Sequence, residues 1–281
     1  MNYKRLFIAL ALPAVLPLAI TACSDASNST QSQNFDTVQV AEQPPVALAE
    51  VPASPEFPNA ALTVGEVKTE DAGRDSVKVS FNFNVVNYEL KAQTSDAGEK
   101  NCNNSKDGQH IHFILNDAPY KALYEPKNEV TVAKNSEHHV VAFLSRSYHQ
   151  SLKNKGAGLI YHFRIDERGE LKKLETPTKP MLTYSRPKGD YTGKDIDNVL
   201  LDFYVWNATL GNDYKVKASI STGGKDTSFM ISEWKSYFIK NLITGQSTIK
   251  LTLTDKEGNK LLGASTEMSR DIQLAHGEPM K

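Results

Sequence analysis

Two histidines stand two residues apart in GQHIHFILNDAPY, residues 108–120, in a chain that holds only seven. His110 and His112 open an apolar run that reads as a β-strand. Side chains at i and i+2 share one face of a strand, with Cα atoms about 7 Å apart, so two imidazoles there can reach one ion. Imidazole suits copper and zinc alike. Two ligands do not complete a site, because a protein zinc site takes three or four. The further candidates are His138, which opens SEHHVVAFLS with Ser136 and Glu137, His149 in SRSYHQS beyond it, and Cys102 in NCNNSKDG. The expected metal site is therefore His110 and His112 with at least one of His138, His149 or Cys102. The competing reading is a pair of polar surface histidines. Parity opposes a tight four-histidine set. His138 shares the parity of Val140, Ala142 and Leu144, whereas His110 and His112 oppose that of Ile111, Phe113 and Leu115. His162, between Tyr161 and Phe163, reads as structural, and His276 as solvated.

Other chemistry is thin. The chain has no G-x-S-x-G elbow, P-loop, H-E-x-x-H or C-x-x-C motif. Ser145, Ser147 and His149 lie close in sequence without the order of a hydrolase triad. With 32 Lys and Arg against 33 Asp and Glu, the net charge of −1 gives no nucleic-acid signature. Lys121, Lys127, Arg146, Lys153 and Lys155 could form a local basic patch, or serve as scattered solubilising charge. Tyr120, Tyr124, Tyr148, Tyr184 and Tyr191 lie in or beside loops, as a recognition surface or as loop anchors.

The elements that must position these residues are strands. Val77, Val79, Phe81, Phe83 and Val85 alternate with polar residues, the pattern of a half-buried strand. Further short strands follow, separated by turns such as NDAPY, and no long helical period appears. FNVVNYEL (83–90) matches FYVWNATL (203–210); HIHFIL then aligns with KVKASI, and SEHHVVAFL with GQSTIKLTL. This order predicts an all-β chain of two tandem immunoglobulin-like sandwiches, residues 58–167 and 181–276, with a joint at 168–180 and a tail at 277–281. In the alignment His110 and His112 fall where the second half has Lys215 and Lys217, which predicts a solvent-facing pair.

Before the sandwiches comes a different composition. Residues 24–57 are rich in Ser, Asn, Gln, Ala and Pro and read as a flexible tether, with an r.m.s. reach of roughly 30 Å. Residues 1–22 carry Lys4 and Arg5, then an apolar run too short to span a bilayer, the pattern of an export signal. They end in Ile20-Thr21-Ala22-Cys23, which resembles a bacterial lipobox. That resemblance implies lipid attachment at Cys23 and, with Ser24 following, the outer membrane. Several acyl chains would hold the protein stably. Cys102 is then left without an intramolecular partner.

The order HIH, then S-E-H, an apolar strand and a later histidine resembles small exported bacterial β-sandwich domains with H-x-H, G-x-H and a late histidine. His110, His112, His138 and His149 stand at those places, with Ser136 where the glycine often lies. Residues 60–275, with GQHIHFILNDAPYKALYEP, AFLSRSYH and YSRPKGDYTG, resemble uncharacterised envelope lipoproteins. Together these features imply a lipid-anchored, non-catalytic binding protein of the cell envelope, with copper or zinc as its candidate ligand. The alternative is a glycan- or protein-binding scaffold without metal.

Overall fold

The computed structural model describes residues 43–277, so the signal segment, Cys23 and most of the expected tether lie outside the described residues. In chain order the strands are β1 (Ala47–Glu50), β2 (Ala61–Asp71), β3 (Ser76–Val86), β4 (His110–Leu115), β5 (Lys121–Leu123), β6 (Lys127–Ala133), β7 (Ser136–Ser145), β8 (Gly158–Ile165), β9 (Leu171–Lys173), β10 (Met181–Arg186), β11 (Gly189–Thr192), β12 (Val199–Trp206), β13 (Tyr214–Thr222), β14 (Lys225–Ile231), β15 (Tyr237–Lys240), β16 (Gly245–Asp255) and β17 (Glu267–Ala275). Two short 3-10 turns complete the described structure. Among the described residues no helix is long and apolar enough to cross a membrane.

The described residues form two tandem immunoglobulin-like β-sandwiches. The first packs sheet β2-β3-β6 against β5-β4-β7-β8-β9. Alternation decides its core: Val77, Val79, Phe81 and Phe83 from β3 meet Ile111 and Phe113 from β4 and Val140, Ala142 and Leu144 from β7. The second packs β1-β15-β12-β10 against β11-β17-β16-β13-β14 around Val216, Ala218, Ile220, Ile249, Leu251 and Leu253. The repeat is visible in detail. β4 pairs with β7 as β13 pairs with β16. Asn87 and Asn207 both take positive φ at the end of the matching strands β3 and β12, and both donate to backbone carbonyls of the segment leading into their own sandwich.

Two boundaries differ from the sequence reading. β1 lies inside the expected tether, yet it pairs antiparallel with β15 at the edge of the second sandwich. Its short apolar ALA run carries no alternation long enough to see, but the sheet edge gives it hydrogen-bond partners. β9 lies inside the expected joint and belongs to the first sandwich through β8, so the connection shortens to residues 174–180.

The sandwiches touch asymmetrically, and this decides the site. The outer face of β4 and β7 presents Ile114, Val141 and Phe143 to Tyr204, Trp206 and Trp234 of the second sandwich. Phe143 stacks on Tyr204 with ring centroids 4.9 Å apart. Asp202, fully buried, accepts hydrogen bonds from Ser151 and Lys153 across the same contact and from Ser236 of its own sandwich. The corresponding face of β13 has no such cover, and Lys217 is exposed there.

Candidate metal centre

Strand parity points His110 and His112 away from the first core, as the sequence predicts, but their exposure is not as predicted. Both are 0 % exposed, because the second sandwich covers the outer face of β4. The lysines at the matching positions of β13 face water only because that face is uncovered.

The chain brings a third histidine to the pair. His110 lies opposite Ser145 at the end of β7. From there the backbone makes a tight reversal: the His149 amide donates to Arg146 O, and the Arg146 amide to Gln150 O. His149 takes φ +68° in this turn, the left-handed region, and its ring returns over the start of β4. His110 Nε2 is then 3.0 Å from His112 Nε2 and 3.1 Å from His149 Nδ1. The three nitrogens lie within 4.8 Å of one another.

The rings of His110 and His112 are held from behind. His110 Nδ1 is 2.8 Å from Gly108 O, a carbonyl that can only accept, so Nδ1 carries the proton and Nε2 the lone pair. Gly108 makes this approach possible: it takes φ +84°, and a Cβ there would collide with Lys91 O. His112 Nδ1 is 3.1 Å from Ser185 Oγ of β10, so the second sandwich orients a ring of the first. Tyr120 stacks parallel on His112 at 3.6 Å, and its hydroxyl is 3.2 Å from His149 Nδ1. Tyr124 tilts against His110.

Burial keeps the imidazoles neutral. It lowers the pKa of His110 to about 4, with Arg186 adding to the effect. It holds His112 and His149 well below the usual range, helped by repulsion from the neighbouring histidines and from Arg186 and Lys188. Burial also pushes the Tyr120 phenol up. Neutral imidazoles are the form in which histidine ligates metals, and His110 and His112 also have the far nitrogen held by a carbonyl and a hydroxyl.

Two expected ligands are elsewhere. His138 begins on the core side of β7, where its ring meets Phe163, Asn116 and Ser136. A residue of that parity in a regular strand cannot turn to the opposite face. Cys102 is buried in a separate cluster with Tyr148, Leu200 and Phe238, and burial pushes its thiol up to about 12. The basic patch does not assemble either. Arg146 turns inward to Pro55 O and Lys153 to Asp202, while Lys121, Lys127 and Lys155 are exposed. His162 bonds Glu137 and Glu175 O. Of the five tyrosines, Tyr120, Tyr148, Tyr184 and Tyr191 are buried anchors.

Sequence reasoning passed over Ser185, Arg186 and Lys188, which complete the surroundings. Lys188 lies 4.3 Å and Arg186 5.4 Å from the Tyr120 ring centre. Their only sequence signal is the run YSRPKGDY, basic residues set between tyrosines.

No protein-family model matches the chain, and no curated protein matches it. Among solved structures it is similar to the fibronectin(III)-like modules of Clostridium thermocellum CbhA, at 11 % identity and a TM-score of 0.25, over 75 % of this chain and 95 % of that one. It is also similar to the central fibronectin-III array of RIM-binding protein, at 11 % identity and 0.24, over 82 % and 73 %. A third likeness is to the two tandem V-type regions of VCBP3, at 6 % identity and 0.22, over 76 % and 99 %.

Proposed function

We propose that this protein is a lipid-anchored, non-catalytic binding protein of the cell envelope whose first sandwich holds a copper or zinc ion through His110, His112 and His149. One observation carries the metal reading. His110 Nε2 has one lone pair and two imidazole nitrogens at 3.0 and 3.1 Å. Protons alone leave one of these contacts with facing lone pairs, or two donors sharing one acceptor. A cation between the three nitrogens satisfies all of them. Ser185 Oγ lies 3.1 Å from His112 Nδ1, but that hydroxyl is only 2 % exposed and closed off from a substrate, which supports a binding role. The anchor rests on the lipobox-like residues 20–23.

The test is calorimetric titration of metal-depleted full-length protein in detergent with copper and with zinc. One ion per chain at sub-micromolar Kd is expected, and the double variant His110→Ala/His112→Ala should bind at least a hundredfold more weakly. No binding tighter than micromolar, or equal binding by the double variant, ends this reading.

A second reading has its own support. A cleft of about 730 Å³ opens between the sandwiches, lined by His139, His162, Lys179, Met181, Tyr214 and Leu261 among others. This mixed polar and apolar lining fits a glycan or peptide segment. Binding to envelope glycans that persists in the double histidine variant would favour it.

A further inference from the structure

The donor set around His110 is longer than three nitrogens. Along one line of contacts, His112 Nε2 is 3.0 Å from His110 Nε2, His110 Nε2 is 3.1 Å from His149 Nδ1, and His149 Nδ1 is 3.2 Å from Tyr120 Oη. His110 is the middle ring: its centroid is 4.9 Å from each of the other two histidines, which are 6.0 Å from one another. Four donors at about 2.0–2.1 Å from one ion are about 3.3–3.4 Å apart in a tetrahedron, and about 2.8–3.0 Å along the edges of a square. Three successive short edges with a wider pair across them match the square better.

We propose that Tyr120 is the fourth ligand and that the site is built for copper(II) in a planar N3O set. The proposal rests on the metal reading above and names its ligands and its ion.

The charges beside the site agree. The side-chain hydrogen bonds of Arg186 go to Tyr191, Lys188 O and Asn103, and that of Lys188 to Tyr120 O, all neutral partners. Arg186 is 94 % buried and its Nε has no partner. A divalent ion on three neutral imidazoles would add its full charge beside these two cations, neither of which is paired with a carboxylate among the described residues, and buried charge without compensation is strongly disfavoured. Ligation by Tyr120 supplies the anion. The phenol O–H bond breaks, the proton leaves to solvent, and the Cu–O bond forms, so the site gains one positive charge and not two. To close the fourth edge, the phenol slides along the His112 ring on which it stacks. Tetragonal N,O sets favour copper(II).

The experiment titrates full-length metal-depleted protein with copper(II) at neutral pH, following visible absorption, electron paramagnetic resonance and affinity. One equivalent should produce a phenolate-to-copper charge-transfer band and an axial resonance spectrum with nitrogen splitting. Tyr120→Phe keeps the stacked ring. It should still bind one equivalent with nitrogen splitting, lose the band, and bind about 10- to 100-fold more weakly. Tyr124→Phe, whose ring also meets His110 but whose hydroxyl bonds Ser105, should leave the band unchanged. A Tyr120→Phe protein with unaltered spectrum and affinity overturns the phenolate ligand and leaves the three-histidine reading standing, as does a band lost only in Tyr124→Phe. Failure of the unsubstituted chain to bind copper(II) overturns the planar copper set, and failure to bind zinc as well overturns the metal reading.

Discussion

His110 is held in place by the backbone itself. Gly108 O fixes its tautomer, and only glycine can bring that carbonyl close, because both φ +84° and the collision with Lys91 O exclude a side chain. Gly108→Ala should therefore cost about 2–4 kcal/mol in chemical denaturation of the metal-free protein, the range of a strained backbone with a steric clash. The same variant should weaken copper binding by about tenfold or more, since a shifted carbonyl no longer orients the ring. A denaturation midpoint equal to that of the unsubstituted chain would show the loop to be soft. At this scale the sequence was partly legible. The types and spacing of His110 and His112 announced a pair on one strand face. His149 stood out only as one of several partners, because its approach depends on a turn whose left-handed residue no pattern marks.

Strands decide what can meet. The parity of β4 separates His110 and His112 from Ile111 and Phe113, and the parity of β7 removes His138 from the site. These assignments were readable in the alternation and in the alignment of HIHFIL with KVKASI. The positions of β1 and β10 were not, because a four-residue edge strand has too few alternations and β10 is buried on both faces. Ser185 on β10 supplies the rear contact to His112, so Ser185→Ala should weaken metal binding by about tenfold while the unfolding free energy changes by about 1 kcal/mol or less. Equal affinity in titration would show that the ring needs no such support. Removal of residues 43–57 takes away β1 and the carbonyls of Pro52 and Ala53 that accept from buried Lys100. Thermal unfolding of that truncated protein should fall by several degrees, whereas a tether without structure would leave it unmoved.

At the scale of the described residues, one sandwich clamps the other. Phe143 stacks on Tyr204, and Asp202 ties Ser151 and Lys153 of the first sandwich to Ser236 of the second. Phe143→Ala should cost about 3–5 kcal/mol by cavity formation at this contact. It should also raise hydrogen exchange in β4, whose outer face loses its cover. Because Ser185 and the histidines belong to different sandwiches, an ion bound at the site would stabilise the contact as well as the fold. Copper or zinc at about a thousand times Kd should add about 4 kcal/mol to the unfolding free energy, read as a rise in melting temperature that the His110→Ala/His112→Ala protein does not show. In cells, Cys23→Ala should release the protein from the membrane fraction. Its continued sedimentation with membranes would refute lipid attachment at that residue.

Composition and alternation by themselves determined an all-β chain of two related sandwiches, because period-two burial is a local property that each strand carries in its own sequence. They also determined which face of each strand leaves the core. Tertiary structure alone decided what covers that face. Lys217 and His112 occupy matching positions, yet one is exposed and the other sealed, because the contact between the sandwiches joins unlike faces. That burial keeps the imidazoles neutral and places Ser185, Tyr120 and Arg186 around them. A pattern confined to one strand cannot carry it, since it arises from residues more than seventy positions apart.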